Sequence, residues 1–245
     1  MARSGNSKDN RDLGTALALL WDETEAPTRG PKPSLTPRRI AEAAVSLADS
    51  DGLDAVTMTK VAGLFKLSAM ALYRYVPGKA ELVELMIEAI LAERPDLSVA
   101  GDDWQSQITE WARRSWDVHQ AHPWLVTATA MRRQAMGPHQ LGWMDAALAS
   151  LEQTGLPPAD QHQIFLLVAG LVRNLAQQRL DYDEEHDQEW NRLNGELLAR
   201  HAHRFPALTR AIVGGAFEPA GDPLGFGLAR LLDGVQALIT RQQAG

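Results

Sequence analysis

The 245-residue chain has no cysteine, which excludes a disulfide framework, a Cys-based metal site and a thiol nucleophile. It also has no apolar stretch approaching the roughly 18 residues of a membrane-spanning helix. The longest apolar run near the start, Leu13 to Trp21, lies between Asp12 and the pair Asp22 and Glu23, with no small-residue cleavage site. The protein is therefore expected to be cytoplasmic, with no membrane partner. Motifs of catalysis are missing as well. There is no Gly-x-Ser-x-Gly, Walker A or His-Glu-x-x-His, and Gly225-Phe226-Gly227 is a fragment of a dinucleotide fingerprint without its strand. Neither catalysis nor a cofactor is expected. From Asp102 onward every long apolar stretch is helical in period, and the alternating β-branched runs that mark strands do not occur. The expected fold is all-α.

A net charge of −7 argues against a nucleic-acid partner until its distribution is considered. Residues 1 to 26 carry −2, residues 27 to 79 carry +4 and residues 80 to 245 carry −9. A basic head on an acidic body gathers phosphate attraction on one face and repels DNA elsewhere. The prolines and glycine at Pro27, Gly30, Pro31 and Pro33 give residues 22 to 35 a linker composition. Three regions follow: an extension with a Pro-rich basic arm over 1–34, a small module over 35–80, and an all-helical domain over 81–245.

Within the module, Thr36-Pro37 is an N-cap followed by proline at the first helical position. Ile40, Ala43, Ala44, Leu47 and Ala48 then form one apolar stripe before Gly52 stops the helix. Thr57 caps a second helix running to Phe65, with Val61, Ala62 and Phe65 facing the same core as Leu47. Ser68 caps a third helix, expected to be seven or eight residues long, with Leu72 and Val76 inward and Ala69, Met70, Ala71, Tyr73, Arg74 and Tyr75 outward. Residues 79 to 94 form a connecting helix that halts at Pro95. Two short helices joined by a tight turn are a helix-turn-helix.

The block Leu72-Tyr73-Arg74-Tyr75-Val76, followed by Lys79, resembles the DNA-reading end of the TetR/AcrR family of regulators. The resemblance is specific over about residues 36 to 91. It implies that Thr57, Thr59 and Lys60 meet the DNA backbone, with Thr59 or Lys60 in reach of a base. It also implies that Ser68, Ala69, Met70, Ala71 and Arg74 line the groove and that Tyr73, Tyr75 and Lys79 hold phosphates. Arg74 alone in that helix has the fork for a bidentate contact to guanine, whereas Ala69, Met70 and Ala71 offer apolar contact to a thymine methyl. A lysine in the first turn of a helix opposes the macrodipole, which a phosphate placed against Lys79 would relieve. Lys66 departs from the pattern, standing where the family most often has glycine, and a left-handed lysine costs about 1 kcal/mol. Arg29 and Lys32, in Arg29-Gly30-Pro31-Lys32-Pro33, resemble the core of an AT-hook that enters a minor groove; the same residues also read as a solvated Pro-rich linker.

Helices are predicted over 103–121, 123–134, 138–154, 159–181, 187–204 and 223–243. Trp104, Ile108, Trp111 and Ser115 mark one face of the first of these and Trp116 the other, so this helix is expected at the centre of the body. The resemblance implies a cavity for a small-molecule effector, with Trp116, His119, Met131, Trp143 and Phe165 as candidates to line it, each of which also reads as core packing. Trp and Met suit a large, flat, mostly apolar ligand. Arg173 reads either as a charge kept for an anionic ligand or as an exposed position on its helix. The acidic run Asp181, Asp183, Glu184, Glu185, Asp187 and Glu189 lacks the glycine and final Glu spacing of a calcium loop, so no metal is expected. Residues 160 to 180 and the helix through Phe226, Leu228, Leu232 and Leu238 resemble the pair with which family members form a four-helix homodimer interface.

His122-Pro123-Trp124-Leu125 and the Pro-rich arm draw the resemblance toward the branch whose C-terminal domain looks like that of the tetracycline repressor. It implies a homodimeric regulator, a repressor in the first instance, that binds double-stranded DNA at a near-palindromic operator and is released by a small, largely apolar effector. The alternatives are a helical small-molecule-binding protein or enzyme with a vestigial head, and a transcriptional activator.

Overall fold

A computed structural model of the protein describes residues 13–21, 35–130, 135–180, 184–216 and 221–244. Arg29, Lys32, Met131, Asp181 and Asp183, singled out above, lie outside the described residues. Those described form twelve α-helices and no strand, and no described helix is long and apolar enough to cross a membrane. They divide into two compact units, residues 1–169 and 170–245.

In the first unit, α1 (Leu13–Leu20) buries Ala16, Leu19 and Leu20 and packs on α5 (Lys79–Ile90). Helix α2 (Pro37–Asp51) starts where Thr36 Oγ1 accepts from Arg39 N at 3.3 Å, and stops at Gly52, whose φ of 80° reverses the chain. Thr57 caps α3 (Met58–Leu64) by accepting from Lys60 N at 3.2 Å, and Ser68 caps α4 (Ala69–Leu72) by accepting from Ala71 N at 3.3 Å. Between them Lys66 N donates to Gly63 O and Leu67 N to Ala62 O, both at 3.0 Å. This pair of hydrogen bonds is a Schellman motif, in which the residue after the C-cap is left-handed. Lys66 accordingly has φ 58°.

Helix α4 is shorter than the seven or eight residues expected. Only Ala69–Leu72 is regular α-helix. Tyr75 N then donates to Leu72 O at 2.9 Å and Val76 N to the same oxygen at 3.1 Å, so Tyr73, Arg74 and Tyr75 occupy a tightened turn. Pro77 is the reason: it biases Val76 away from helical backbone and removes a donor. Leu72 and Val76 still point inward and are fully buried, with Ile40, Val61 and Ala62.

Helix α5 closes this small core. Every residue from Leu82 to Glu88 is buried, so the helix is surrounded rather than amphipathic. It packs on α2 and α1, and also on α8 (Pro138–Glu152). Asp103 caps α6 (Trp104–Ala121), accepting from Ser106 N at 2.8 Å. Of the helix expected over 123–134, α7 covers Trp124–Thr129, and residues 131–134 lie outside the described set. Helix α9 (Pro158–Leu180) buries Ile164, Phe165 and Val168 in this unit.

The second unit begins within α9 and continues through α10 (Glu184–Arg200), α11 (Pro206–Val213) and α12 (Pro223–Gln243). Asp222 caps α12, which buries Leu224, Leu228, Leu232, Val235 and Ile239 on one stripe. A Cβ at Gly227 would come within 3.0 Å of the Leu171 methyls, so glycine lets α12 and the end of α9 approach closely. Helix α11 was not expected. Its signals are Pro206 at the first helical position and Leu208 and Ile212 four residues apart.

Candidate nucleic-acid interface and effector cavity

The helix-turn-helix presents Thr57, Thr59, Lys60, Ser68, Arg74 and Lys79 to solvent, with Met70 at 77% and Tyr73 at 44% exposure. Ala69 and Ala71 are half-buried, and so is Tyr75, whose ring packs against the small core. The hydroxyl oxygens of Thr57 and Ser68 accept backbone bonds, which leaves each hydroxyl hydrogen to donate outward. Lys79 has a partner within the chain: Nζ donates to Leu53 O at 3.2 Å. The awkward place of a lysine at a helix start thus has an internal explanation, and two further N–H donors remain. Met70 between two alanines makes the outward face of α4 apolar and shallow, with Arg74 as its long charged reach.

On the body side, a cavity of about 150 Å³ opens among α5, α6, α7, α8 and α9. Its apolar wall includes Ile87, Trp111, Leu125, Trp143, Met144 and Phe165, and its polar groups are Ser115, His119, Thr129 and Gln140. Trp111 organises the aromatic side. Its ring meets Phe165 edge-on at 5.5 Å and Trp143 at 6.4 Å, and its Nε1 donates to Trp143 O at 2.9 Å. His119 Nδ1 lies 2.8 Å from Ser115 O. A carbonyl only accepts, so Nδ1 carries the hydrogen, and in the neutral ring Nε2 is the acceptor. Thr129 Oγ1 donates to Leu125 O at 2.8 Å.

Polar bonds tie these walls to α2 and α5. Asp49 on α2 accepts from Trp124 Nε1 at 2.7 Å and from His122 Nδ1 at 2.8 Å, fixing the α6–α7 corner. Glu84 and Glu88 on α5 accept from the backbone that opens α8. Trp143 Nε1 donates to Leu91 O at 3.1 Å and Glu93 O at 2.9 Å.

Residues 98–239 match the model of the tetracyclin repressor-like C-terminal domain. The chain belongs to the TetR family of transcriptional regulators. It is 32% identical, over 99% of its length and 92% of the other's, to the HTH-type transcriptional repressor DrrR1 of Streptomyces coeruleorubidus. It is 27% identical to the class A tetracycline repressor from transposon 1721 of Escherichia coli, covering 86% of this chain and 96% of that one. Among solved structures it resembles the TetR family protein ActR of Streptomyces coelicolor in complex with actinorhodin, with a TM-score of 0.71 and 25% identity, over 84% of this chain and 97% of that one.

As a TetR-family regulator the chain brings together His119, Trp143 and Phe165 of the residues expected around an effector. Trp116 lies on the other face of α6 and does not line the cavity, and Arg173 stands in the second unit. The lining face of α6 is the one marked by Trp111 and Ser115. The sequence alone does not select that face, because both faces of α6 are apolar and only the positions of α8 and α9 decide between them. Glu189, in the acidic run, is engaged by Arg192 at 2.8 Å.

Proposed function

We propose that the protein is a repressor that binds a near-palindromic operator as a homodimer and is released by a small, largely apolar effector. In this reading Thr57, Thr59, Lys60, Tyr73 and Lys79 hold phosphates, and Tyr75 joins them through its hydroxyl. Ser68, Ala69, Met70, Ala71 and Arg74 face base edges. With so few hydrogen-bonding readers, specificity leans on Arg74 and on DNA shape.

The observation that carries the reading is the double duty of α5. Leu82, Val83, Leu85 and Met86 close the core under the helix-turn-helix, while Ile87 and the adjoining Leu91 line the cavity. A ligand that fits better when α5 is displaced would therefore shift the population of heads away from the operator. A cavity of about 150 Å³ holds a single ring. Drug-sized ligands occupy about 300 Å³ or more, so a polycyclic effector must enlarge it. Met136 and Met144, flexible side chains on the wall, suit that adjustment.

Apolar residues left uncovered on α9 and α12 support a dimer. In the first unit Leu166 and Leu167 are 46% and 60% exposed and in the second Phe226 is 68% exposed, and contact with a second protomer would cover such residues. Two-fold symmetry would then set the recognition helices one turn of DNA apart, about 34–36 Å.

The test is selection of bound genomic DNA fragments by the purified protein near physiological salt, followed by titration of the complex with actinorhodin, the ligand in the ActR structure. A single two-fold-symmetric motif is expected. Weak binding that falls with salt and enriches no sequence would refute the repressor reading.

A further inference from the structure

Two carboxylates one helical turn apart on α5 grip the start of α8. Glu84 is 4% exposed and accepts from Ala135 N at 3.1 Å. Glu88 is 6% exposed; its Oε2 accepts from His139 N at 2.8 Å and its Oε1 from Gln140 N at 2.9 Å. The His139 ring answers, Nδ1 donating to the Glu88 carbonyl at 2.9 Å. Between the gripped amides stands Gly137, where a Cβ would collide with the Glu88 carboxylate. An anion on the first amides of a helix satisfies N–H groups that lack partners and meets the positive end of the dipole. The contact is therefore tight, and it joins residues 51 and 52 positions apart.

The same short stretch is a wall of the cavity. Met136 and Gln140, which bracket the gripped turn, both line it, as do Ile87 and Leu91 around Glu88. The opposite walls, α6 and α9, are joined by the edge-on contact of Trp111 with Phe165. An effector too large for about 150 Å³ gains room where the wall is made of Met136, Gln140 and Met144. Moving that wall separates α8 from α5, which the bonds of Glu84 and Glu88 resist together with those of Trp143 Nε1 to Leu91 O and Glu93 O.

We propose that Glu84 and Glu88 are positioning residues of the effector response: clamped on Ala135, His139 and Gln140 they hold α5 where the head binds its operator, and an effector larger than one ring opens the clamp. This rests on the repressor reading above. It places the switch in the bonds between α5 and α8 rather than in contacts of the ligand with either glutamate.

The test uses the full-length protein and the DNA fragment that it selects, with no effector added. Glu88→Gln keeps the shape but sets an NH₂ group against a backbone N–H, and Gly137→Ala drives a methyl group into the same carboxylate. Each variant is expected to lose operator affinity about ten- to hundredfold. The amides of Ala135, His139 and Gln140 should exchange faster, while helical content and non-specific DNA binding stay unchanged. Leu156→Ala, in a buried position after α8 that does not line the cavity, is the stability control: it lowers the melting temperature and leaves operator affinity alone. Should Glu88→Gln fail to fold, Gly137→Ala and Glu84→Gln carry the same measurement. Faster exchange with operator affinity intact would reduce the glutamates to a structural cap and overturn the proposal, as would an equal loss of affinity in Leu156→Ala. A wild-type protein that selects no operator would overturn the repressor reading and the clamp with it.

Discussion

Replacing Lys66 by glycine should make the protein more stable, although it deletes a side chain from the candidate DNA face. Lys66 has φ 58°, and it is the only non-glycine residue with positive φ among those described. The conformation is imposed by the Schellman bonds from Lys66 N to Gly63 O and from Leu67 N to Ala62 O, so the lysine cannot relax without losing the turn. A left-handed L-residue costs about 1–2 kcal/mol, and glycine's extra freedom in the unfolded chain takes back about 0.4–1 kcal/mol. The net gain for Lys66→Gly is therefore about 0.5–1 kcal/mol, which in a chain of this size raises the melting temperature by about 1–4 °C. Lys66→Ala is the decisive companion. Alanine keeps the Cβ and the strain, so it should gain nothing. Thermal unfolding of the three proteins checks this, and equal melting temperatures for the glycine and alanine variants would refute the assignment of strain to Lys66. Charge is read separately: if Lys66 also touches a phosphate, both variants lower the slope of log affinity against log salt by about 0.9.

Arg74→Ala should cost about 1–3 kcal/mol of operator affinity and less of non-specific affinity, read by titration of selected against scrambled DNA; equal losses would remove Arg74 from base readout. Ser68→Ala removes the cap of α4 and should destabilise by about 1 kcal/mol in chemical denaturation. Asp49→Ala leaves Trp124 Nε1 and His122 Nδ1 without their acceptor and should cost about 1–3 kcal/mol, with a change in Trp fluorescence as the local readout. The hydrogen bond from Ser106 holds the Asp103 carboxyl below its ordinary value of 3.8. A depressed carboxyl stabilises the fold above its unfolded value and loses that contribution as pH falls through the folded one. Melting measured downward from about pH 5 should therefore show an acid-side loss that Asp103→Asn diminishes.

What could be read from sequence was what the chain encodes locally. Thr36-Pro37, Thr57 and Ser68 announce helix starts because a cap and its amide lie within three residues. Lys66 could be singled out because it stands where the family that the block resembles most often has glycine. Helix α4 is shorter than its sequence suggests since Pro77 acts backward on Val76, and the tightening at Tyr75 depends on how the chain turns toward α5. The cavity was harder. Trp111 and Trp116 are equivalent in sequence, each on an apolar face of α6, and only the arrival of α8 and α9 makes Trp111 the lining residue. Glu84 and Glu88 were invisible for a sharper reason. Among Leu82, Val83, Leu85, Met86 and Ile87 they look like the wet side of an amphipathic helix, and the amides that donate to them in the interior lie some fifty residues away.

That α5 has no wet side from Leu82 to Glu88 constrains how any signal crosses it. A helix enclosed on every side cannot turn about its axis without burying a bare carboxylate or exposing Leu82 or Met86, and either costs several kcal/mol. What remains is a swing of the helix as a rigid rod. Its ends are held differently: near the start by Leu82, Val83 and Met86 in the core of the head and by Lys79 Nζ bonded to Leu53 O, and near the end by the Glu88 carboxylate on two amides and by the Trp143 bonds to Leu91 and Glu93. Twelve residues make a rod of about 18 Å. Once the cavity end is freed, a tilt of about 5° displaces the head end by about 1.5 Å at that length. Because Leu82, Val83 and Met86 are packed into the core of the head, the head travels with the rod. In a two-fold dimer the displacement is doubled between recognition helices that must stay one DNA turn apart. Held to the head by this apolar packing and to α8 by polar bonds that an effector could open, the rod is what would let occupancy of a small cavity reach the operator.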